Sequence, residues 1–397
     1  MMYISLCMSE DGSFNNRIIY YCGLSLAIIS LLLRETFWAR ENIFVELLKL
    51  SAFCLLSLNL VMSINKYTSL EKLICLFCLV CFLVIGINTH KMMPLLLTIE
   101  MIIGAKGVSF DKILKIFLLV GGCLCVLTIM GSLVGLLDTF VVDSSYREDV
   151  SIIYTSTQRY SFGYVWPTDL SSHIFFLQLI YFYLRKGRLR IIEMLIFVTI
   201  SIIILKYTDA RLPFGCSIML LFFALYLRRY VSLSKKLLVL LILVTPLSAI
   251  IIYVLSSNYD STDERWIILN LFFSNRLEYG HENLDENGIS FLGQFFEMHG
   301  GGYELEHNMI DSSFLQAIII YGIVYSLILC IAAYNILKRA YKRNDAVLII
   351  AMTLCAIHAI FAQHYIQLEM NPFWLALVAK FDKNRLLIKQ QLALWKK

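Results

Sequence analysis

Residues 211–256 read RLPFGCSIMLLFFALYLRRYVSLSKKLLVLLILVTPLSAIIIYVLS. Two apolar runs, 211–228 and 235–256, flank a short polar link that holds Arg228, Arg229, Lys235 and Lys236. An α-helix needs about 20 predominantly apolar residues to cross the hydrocarbon of a bilayer. Each run meets that need, and the basic link marks their cytoplasmic ends, because short loops rich in Lys and Arg stay inside.

The same alternation extends outward in both directions. Of the 397 residues, 59% are hydrophobic and only 16% charged, and the mean hydropathy is +0.73. A soluble domain usually carries about 25% charged residues, so a soluble protein is excluded. Apolar blocks of this length predict helices, whereas a membrane barrel would need short alternating segments. The expected fold is all-α and polytopic, with about twelve transmembrane helices near 17–34, 43–64, 70–88, 92–105, 112–138, 168–185, 190–207, 211–228, 235–256, 312–338, 345–365 and 371–388. The polar start Ser9–Asn16 leads into the first span without a small-residue cleavage site, so no cleavable signal peptide is expected.

Three further basic clusters, Arg185 to Arg190, Lys338 to Arg343 and the tail from Lys383 to Lys397, join the 228–236 link on the cytoplasmic side. An even number of helices then makes both termini cytoplasmic and puts two long loops, 139–167 and 256–311, outside. The second loop is strongly acidic, with Arg265 and Arg276 its only Arg or Lys residues. Its apolar stretches Trp266–Phe273 and Ile289–Phe296 read as short helices against the membrane surface, broken by Gly300-Gly301-Gly302. A loop of this length without structure would be unusual, and an ordered lid over an opening is expected.

Most of the eleven cysteines lie inside apolar runs. Cys75, Cys78 and Cys81 have metal-like spacing on paper, but an uninterrupted helix cannot converge them, so no metal site is expected. Candidate chemistry gathers on the external side. Arg211 stands in a nearly apolar hairpin, Tyr207–Pro213, where an arginine must pair, snorkel or act; Asp209 is the near partner. Arg276, in Asn275–Tyr279, has Glu278 and Glu282 as ordinary salt-bridge partners. Glu306-His307 precedes Asp311 and Ser312, which suits either a base at a cavity mouth or a helix cap. Arg159, Tyr160 and Trp166 combine a cation with aromatic faces, fitting sugar stacking or an interfacial belt, and Asp169 and His173 follow at a similar depth. Glu46, Lys49 and Glu100 read as intramembrane pairs, and His358 and His364 as interhelical hydrogen bonders.

Four segments together, Arg159–His173, Tyr207–Pro213, Asn275–Gly293 and His307–Gly322, resemble the Wzy family of bacterial polysaccharide polymerases, which is similar in architecture to the O-antigen ligases. The resemblance implies a GT-C-like membrane glycosyltransferase. It would act on undecaprenyl-diphosphate-linked oligosaccharides at the outer face of the bacterial cytoplasmic membrane, without cofactor or metal. Arg211, Arg276 and Arg159 would hold the diphosphate; His307, Glu306 or Asp311 would serve the acceptor hydroxyl; Tyr160, Trp166, Asp169 and His173 would meet sugar. The lipid bilayer, a chain-length regulator and a flippase are the implied partners, with no nucleic acid. The absence of a glycine-rich phosphate loop agrees with a lipid-linked donor. A ligase, or a flippase for the same lipid-linked sugar, remains an alternative.

Overall fold

The computed structural model describes residues 14–39, 42–143, 158–230, 233–298 and 309–382. Backbone surrounded by hydrocarbon must bond to itself, so the apolar runs fold as helices. They are α1 (Phe14–Arg34), α2 (Ile43–Ser63), α3 (Ser69–Asn88), α4 (Met92–Gly104), α5 (Phe110–Leu133), α6 (Pro167–Leu184), α7 (Ile191–Thr208), α8 (Arg211–Arg229), α9 (Lys235–Ser257), α10 (Glu264–Phe272), α11 (Arg276–Asn287), α12 (Ser313–Ile319), α13 (Gly322–Lys342) and α14 (Ala346–Ala359). A two-stranded antiparallel ribbon, β1 (Val141–Asp143) with β2 (Gln158–Tyr160), sets Val142 opposite Arg159.

Among the described residues eight helices, α1, α2, α3, α5, α7, α8, α9 and α13, are long and apolar enough to cross a membrane. Leu73, Phe77, Ile202, Ile250 and Leu327 are among the large apolar side chains left exposed along them. Water-soluble monomers do not carry an apolar belt of this extent. The chain is therefore a multi-pass membrane protein, and these side chains form its lipid face. At the centre runs α6, whose apolar residues Leu170, Phe175, Phe176, Leu179 and Phe182 are buried together with Asp169, Ser172, His173 and Gln178. Helices α5, α7, α8 and α14 pack around it. Pro167 opens α6 in the first turn, where a missing N–H costs nothing.

The two ends of the bundle differ in charge. One gathers the basic links; there the Tyr183 hydroxyl donates to Asp345 (3.2 Å), the Lys380 N–H donates to the Val108 carbonyl (2.8 Å) and Lys106 pairs with Glu71 (2.6 Å). At the other end the Asn88 amide donates to the Leu292 carbonyl (3.0 Å), and the Ser313 N–H donates to the Ala362 carbonyl (3.2 Å). The acidic loop and the β1–β2 ribbon belong to this second end.

Four expected elements are corrected. The helix expected over 312–338 is two, α12 and α13, broken at Gly322, whose φ is +90°. The stretch Ile289–Phe296 is extended rather than helical, because its backbone is used to fill that break: the Ile323 N–H donates to the Ser290 carbonyl (3.0 Å), the Val324 N–H to Phe291 (3.2 Å) and the Gln294 N–H to the Ile320 carbonyl (2.9 Å). Its neighbour Trp266–Phe273 does form a helix, α10, with Phe272 77% exposed.

Finally, α14 stops at Ala359, and residues 360–381 carry only two 3-10 turns, Gln363–Tyr365 and Pro372–Leu377, where spans to 365 and over 371–388 were expected. Pro372 cannot continue an α-helix inward. The segment is nevertheless buried at Tyr365, Leu368, Met370, Asn371, Phe373 and Leu375, and its carbonyls find donors. Trp374 (2.7 Å) and Asn371 (3.0 Å) both donate to Tyr365, while the Arg339 guanidinium donates to Ala376, Leu377 and Ala379. Arg339 lies in the basic cluster, so the segment reaches the basic end. The Gly300–Gly302 run and residues 383–388 lie outside the described residues.

A Cβ at Gly322 would stand 2.6 Å from the Gly293 nitrogen and 2.8 Å from the Phe291 oxygen, on top of the positive φ. Gly322→Ala is expected to cost about 1–3 kcal/mol, read as a lowered unfolding temperature in detergent with faster proteolysis of the 288–298 segment. Gly215→Ala, in α8 with open space around it, should be neutral or stabilising by about 0.5–1 kcal/mol.

Candidate functional site

A cavity of about 400 Å³ opens at the acidic-loop end of the bundle. It is lined by four charged residues, Arg34, Glu35, Lys91 and Glu369, with Trp166, Tyr321 and Tyr325 as aromatic walls and Gln316, Gln363 and Gln367 as amides. Its placement follows from local backbone bonding. As α1 ends, the Phe37 N–H donates to the Gly163 carbonyl (2.9 Å) and the Val165 N–H to the Glu35 carbonyl (3.0 Å), so Arg34, Glu35 and Trp166 share one rim. Lys91 sits at the α3–α4 corner, turned by His90 at φ +55°, with its ammonium 5.6 Å from the centre of the Tyr321 ring. Glu369, Gln363 and Gln367 come from the irregular segment after α14.

Charges in so enclosed a space titrate abnormally. Burial, reinforced by the nearby Asp169 carboxylate, pushes Glu35 up to about 7. Burial, with Arg34 beside it, lowers Lys91 to about 8. Near neutral pH Glu35 therefore exchanges protons readily. Such a cavity accepts an anion at Arg34 and Lys91 and can take up a proton at its carboxylates.

Beneath it lies a buried polar cluster between α6, α14 and the irregular segment. His364 Nε2 is 3.1 Å from Asp169 Oδ1, with both side chains at most 3% exposed. His358 Nε2 meets the Ser172 hydroxyl (3.1 Å), and His173 Nδ1 meets the Tyr164 hydroxyl (2.7 Å). The His358 and His364 rings are 5.5 Å apart. Among the described residues, Asp169 Oδ2 and His364 Nδ1 are buried without a hydrogen-bond partner. The expectation that His358 and His364 bond between elements holds.

The sequence candidates distribute over three places. Arg276 Nε is 2.6 Å from Asp311 Oδ2 rather than paired with Glu278, which accepts instead from Asn270 (3.1 Å). The left-handed residues Ser274 (φ +56°) and Asn275 (φ +63°) start α11 and aim it this way. Arg276 and Asp311 line a smaller pocket whose Met309 also lines the large cavity, so the pair stands beside the site. Arg211 is 52% exposed, with Nε 3.4 Å from Asp209, on the α7–α8 corner. Arg159 is buried at the same corner and donates to the Thr208 carbonyl (2.8 Å). Neither lines either cavity, so Arg211 and Arg276 do not converge on one as expected. Tyr160 belongs to this corner too, packed on Phe162 and Tyr207.

Of the expected sugar contacts only Trp166 lines the cavity, since Asp169 is engaged by His364 and His173 by Tyr164. Glu306 and His307 lie outside the described residues. Glu46 and Lys49 pair as expected (2.5 Å), but Glu100 accepts from the Ser57 hydroxyl (2.6 Å), not from a cation. Arg34, Glu35, Lys91 and Glu369 were missed. Arg34 and Lys91 did carry a signal: they are cations on the side where the positive-inside rule disfavours them. No protein-family model, no curated protein and no solved structure matches the chain.

His364→Ala strands the Asp169 carboxyl and should destabilise the protein by on the order of 3 kcal/mol. Asp169→Asn, which keeps a hydrogen-bonding amide against the ring, should cost less. Thermal unfolding of the two variants in one detergent checks the order.

Proposed function

We propose that the chain is a GT-C-like membrane glycosyltransferase that joins undecaprenyl-diphosphate-linked oligosaccharide units into a surface polysaccharide at the outer face of the bacterial cytoplasmic membrane. The basic end is then cytoplasmic. Counting α4, α6, α14 and the 360–381 segment with the eight long helices gives twelve crossings, with both termini inside. A flippase that delivers the units and a regulator of chain length would be its partners.

The observation that carries this reading is the presence of two cations and two carboxylates on the wall of one cavity at the end away from the basic loops. Glycosyl transfer from a lipid diphosphate needs both. Arg34 and Lys91 would neutralise the departing diphosphate, where a guanidinium can bond two oxygens at once. The carboxylates would serve the attacking hydroxyl, Trp166 and Tyr321 offer faces for sugar rings, and the amides of Gln316, Gln363 and Gln367 suit hydroxyls. The Arg276–Asp311 pair beside the cavity would face the oligosaccharide. Arg211 and Arg159, on the α7–α8 corner, would not touch the diphosphate.

A second reading, transport of the same lipid-linked sugar, is favoured by one feature: irregular backbone with titratable side chains at membrane depth, as in transporters with broken helices. One experiment separates them. In cells lacking the native copy, Arg34→Ala or Lys91→Ala should cut polymer by on the order of 10²-fold and leave single-repeat material on a polysaccharide gel, while Arg211→Ala retains polymer. Loss of every surface-attached sugar would indicate a ligase. Lipid-linked units trapped at the cytoplasmic face would indicate a transporter.

A further inference from the structure

Glu35 is held more firmly than a residue at a helix end needs to be. Its N–H donates to the Leu32 carbonyl (3.1 Å) and its carbonyl accepts from Val165 (3.0 Å), so two elements fix the point from which its carboxylate enters the cavity. The Gln367 amide reaches Oε1 at 3.5 Å. Among the described residues no Arg or Lys forms an ion pair with it. Glu369 is the other cavity carboxylate. Charged and titratable groups face Glu35 from each side: Arg34 on α1, Asp169 on α6, His364 and Glu369 on the irregular segment, and Lys91 at the α3–α4 corner.

We propose that Glu35 is the catalytic base that takes the proton of the acceptor hydroxyl, and that the buried Asp169–His364 pair is a positioning device that sets the electrostatic field on Glu35. This rests on the glycosyl transfer proposed above. In the step, the acceptor oxygen forms a bond to the anomeric carbon of the donor and gives its proton to the Glu35 carboxylate. The bond from that carbon to the diphosphate oxygen breaks, and its electron pair leaves on the diphosphate. Charge balances without any further reactant. The pair adjoins Glu35 through both segments that hold it, since Val165, bonded to the Glu35 carbonyl, lies four residues before Asp169, and Gln367, whose amide reaches Oε1, lies three residues after His364; from there Asp169 hinders ionisation of Glu35 and His364 assists it. A base that titrates close to the working pH is the most effective one, and burial with Asp169 nearby brings Glu35 to about 7.

The test uses the full-length protein in liposomes, supplied with lipid-linked single repeat extracted from cells that lack it. The initial rate of chain lengthening is followed from about pH 5 to 9. Because the base works deprotonated, the wild-type rate should fall as pH drops through about 7. Glu35→Gln should lose at least ~10²-fold at every pH while still retaining the lipid-linked donor, and Glu35→Asp should keep a slower rate with an acid limb. Asp169→Asn should move the midpoint of that limb to lower pH and His364→Gln to higher pH, shifts that a merely structural role would not produce.

A wild-type profile that is flat, or Glu35→Gln at the wild-type rate, overturns the base assignment while leaving glycosyl transfer intact. Rates that change in the Asp169 and His364 variants with no movement of the midpoint overturn the positioning role. If the wild type lengthens no chain, or Arg34→Ala and Lys91→Ala lengthen it normally, the proposed function itself fails.

Discussion

An amide at membrane depth has no water to bond, and leaving it unpaired costs several kcal/mol. Most of this chain answers that constraint with helices. Between residues 360 and 381 it answers differently, with irregular backbone whose carbonyls are served by Trp374, Asn371 and Arg339. That solution works only in the interior, walled from lipid by α13, α14 and α4. It also frees Gln363, Gln367 and Glu369 to face a cavity, which an apolar helix in the same place would have closed.

The acidic loop is joined to this frame by the same rule. A helix broken at Gly322 exposes backbone donors, and the extended chain around Ser290 and Phe291 accepts from them. Only glycine allows so close an approach there, since a Cβ would meet the Gly293 backbone. The loop is therefore part of the cavity wall rather than an appendage. Tyr321, at the break, faces Lys91 across the site.

Buried charge is the second constraint, and it governs the site. Arg34, Glu35, Lys91 and Glu369 line one cavity, where burial raises Glu35 to about 7 and lowers Lys91 to about 8. Below them the Asp169–His364 pair places ionisable groups in the core, where they cost stability unless they pair or act. The arginines at the α7–α8 corner serve another purpose. Arg159 holds the Thr208 carbonyl and Arg211 meets Asp209, which binds the ribbon to the end of α7.

The sequence by itself determined the membrane character, the long helices and the difference in charge between the two ends, because hydropathy and Lys/Arg placement are local quantities summed along the chain. Within a residue or two it also located α2, α3, α7, α8 and α9. Only the tertiary structure decided that 312–338 is two helices, that the last crossing is irregular, and that Arg34, Glu35, Lys91 and Glu369 meet. Each of these depends on partners distant in sequence. Gly322 bends because Phe291 reaches it, residues 360–381 do without helical bonds because Arg339 and neighbouring side chains replace them, and the four charges become site residues only when the end of α1, the α3–α4 corner and the irregular segment converge around one space.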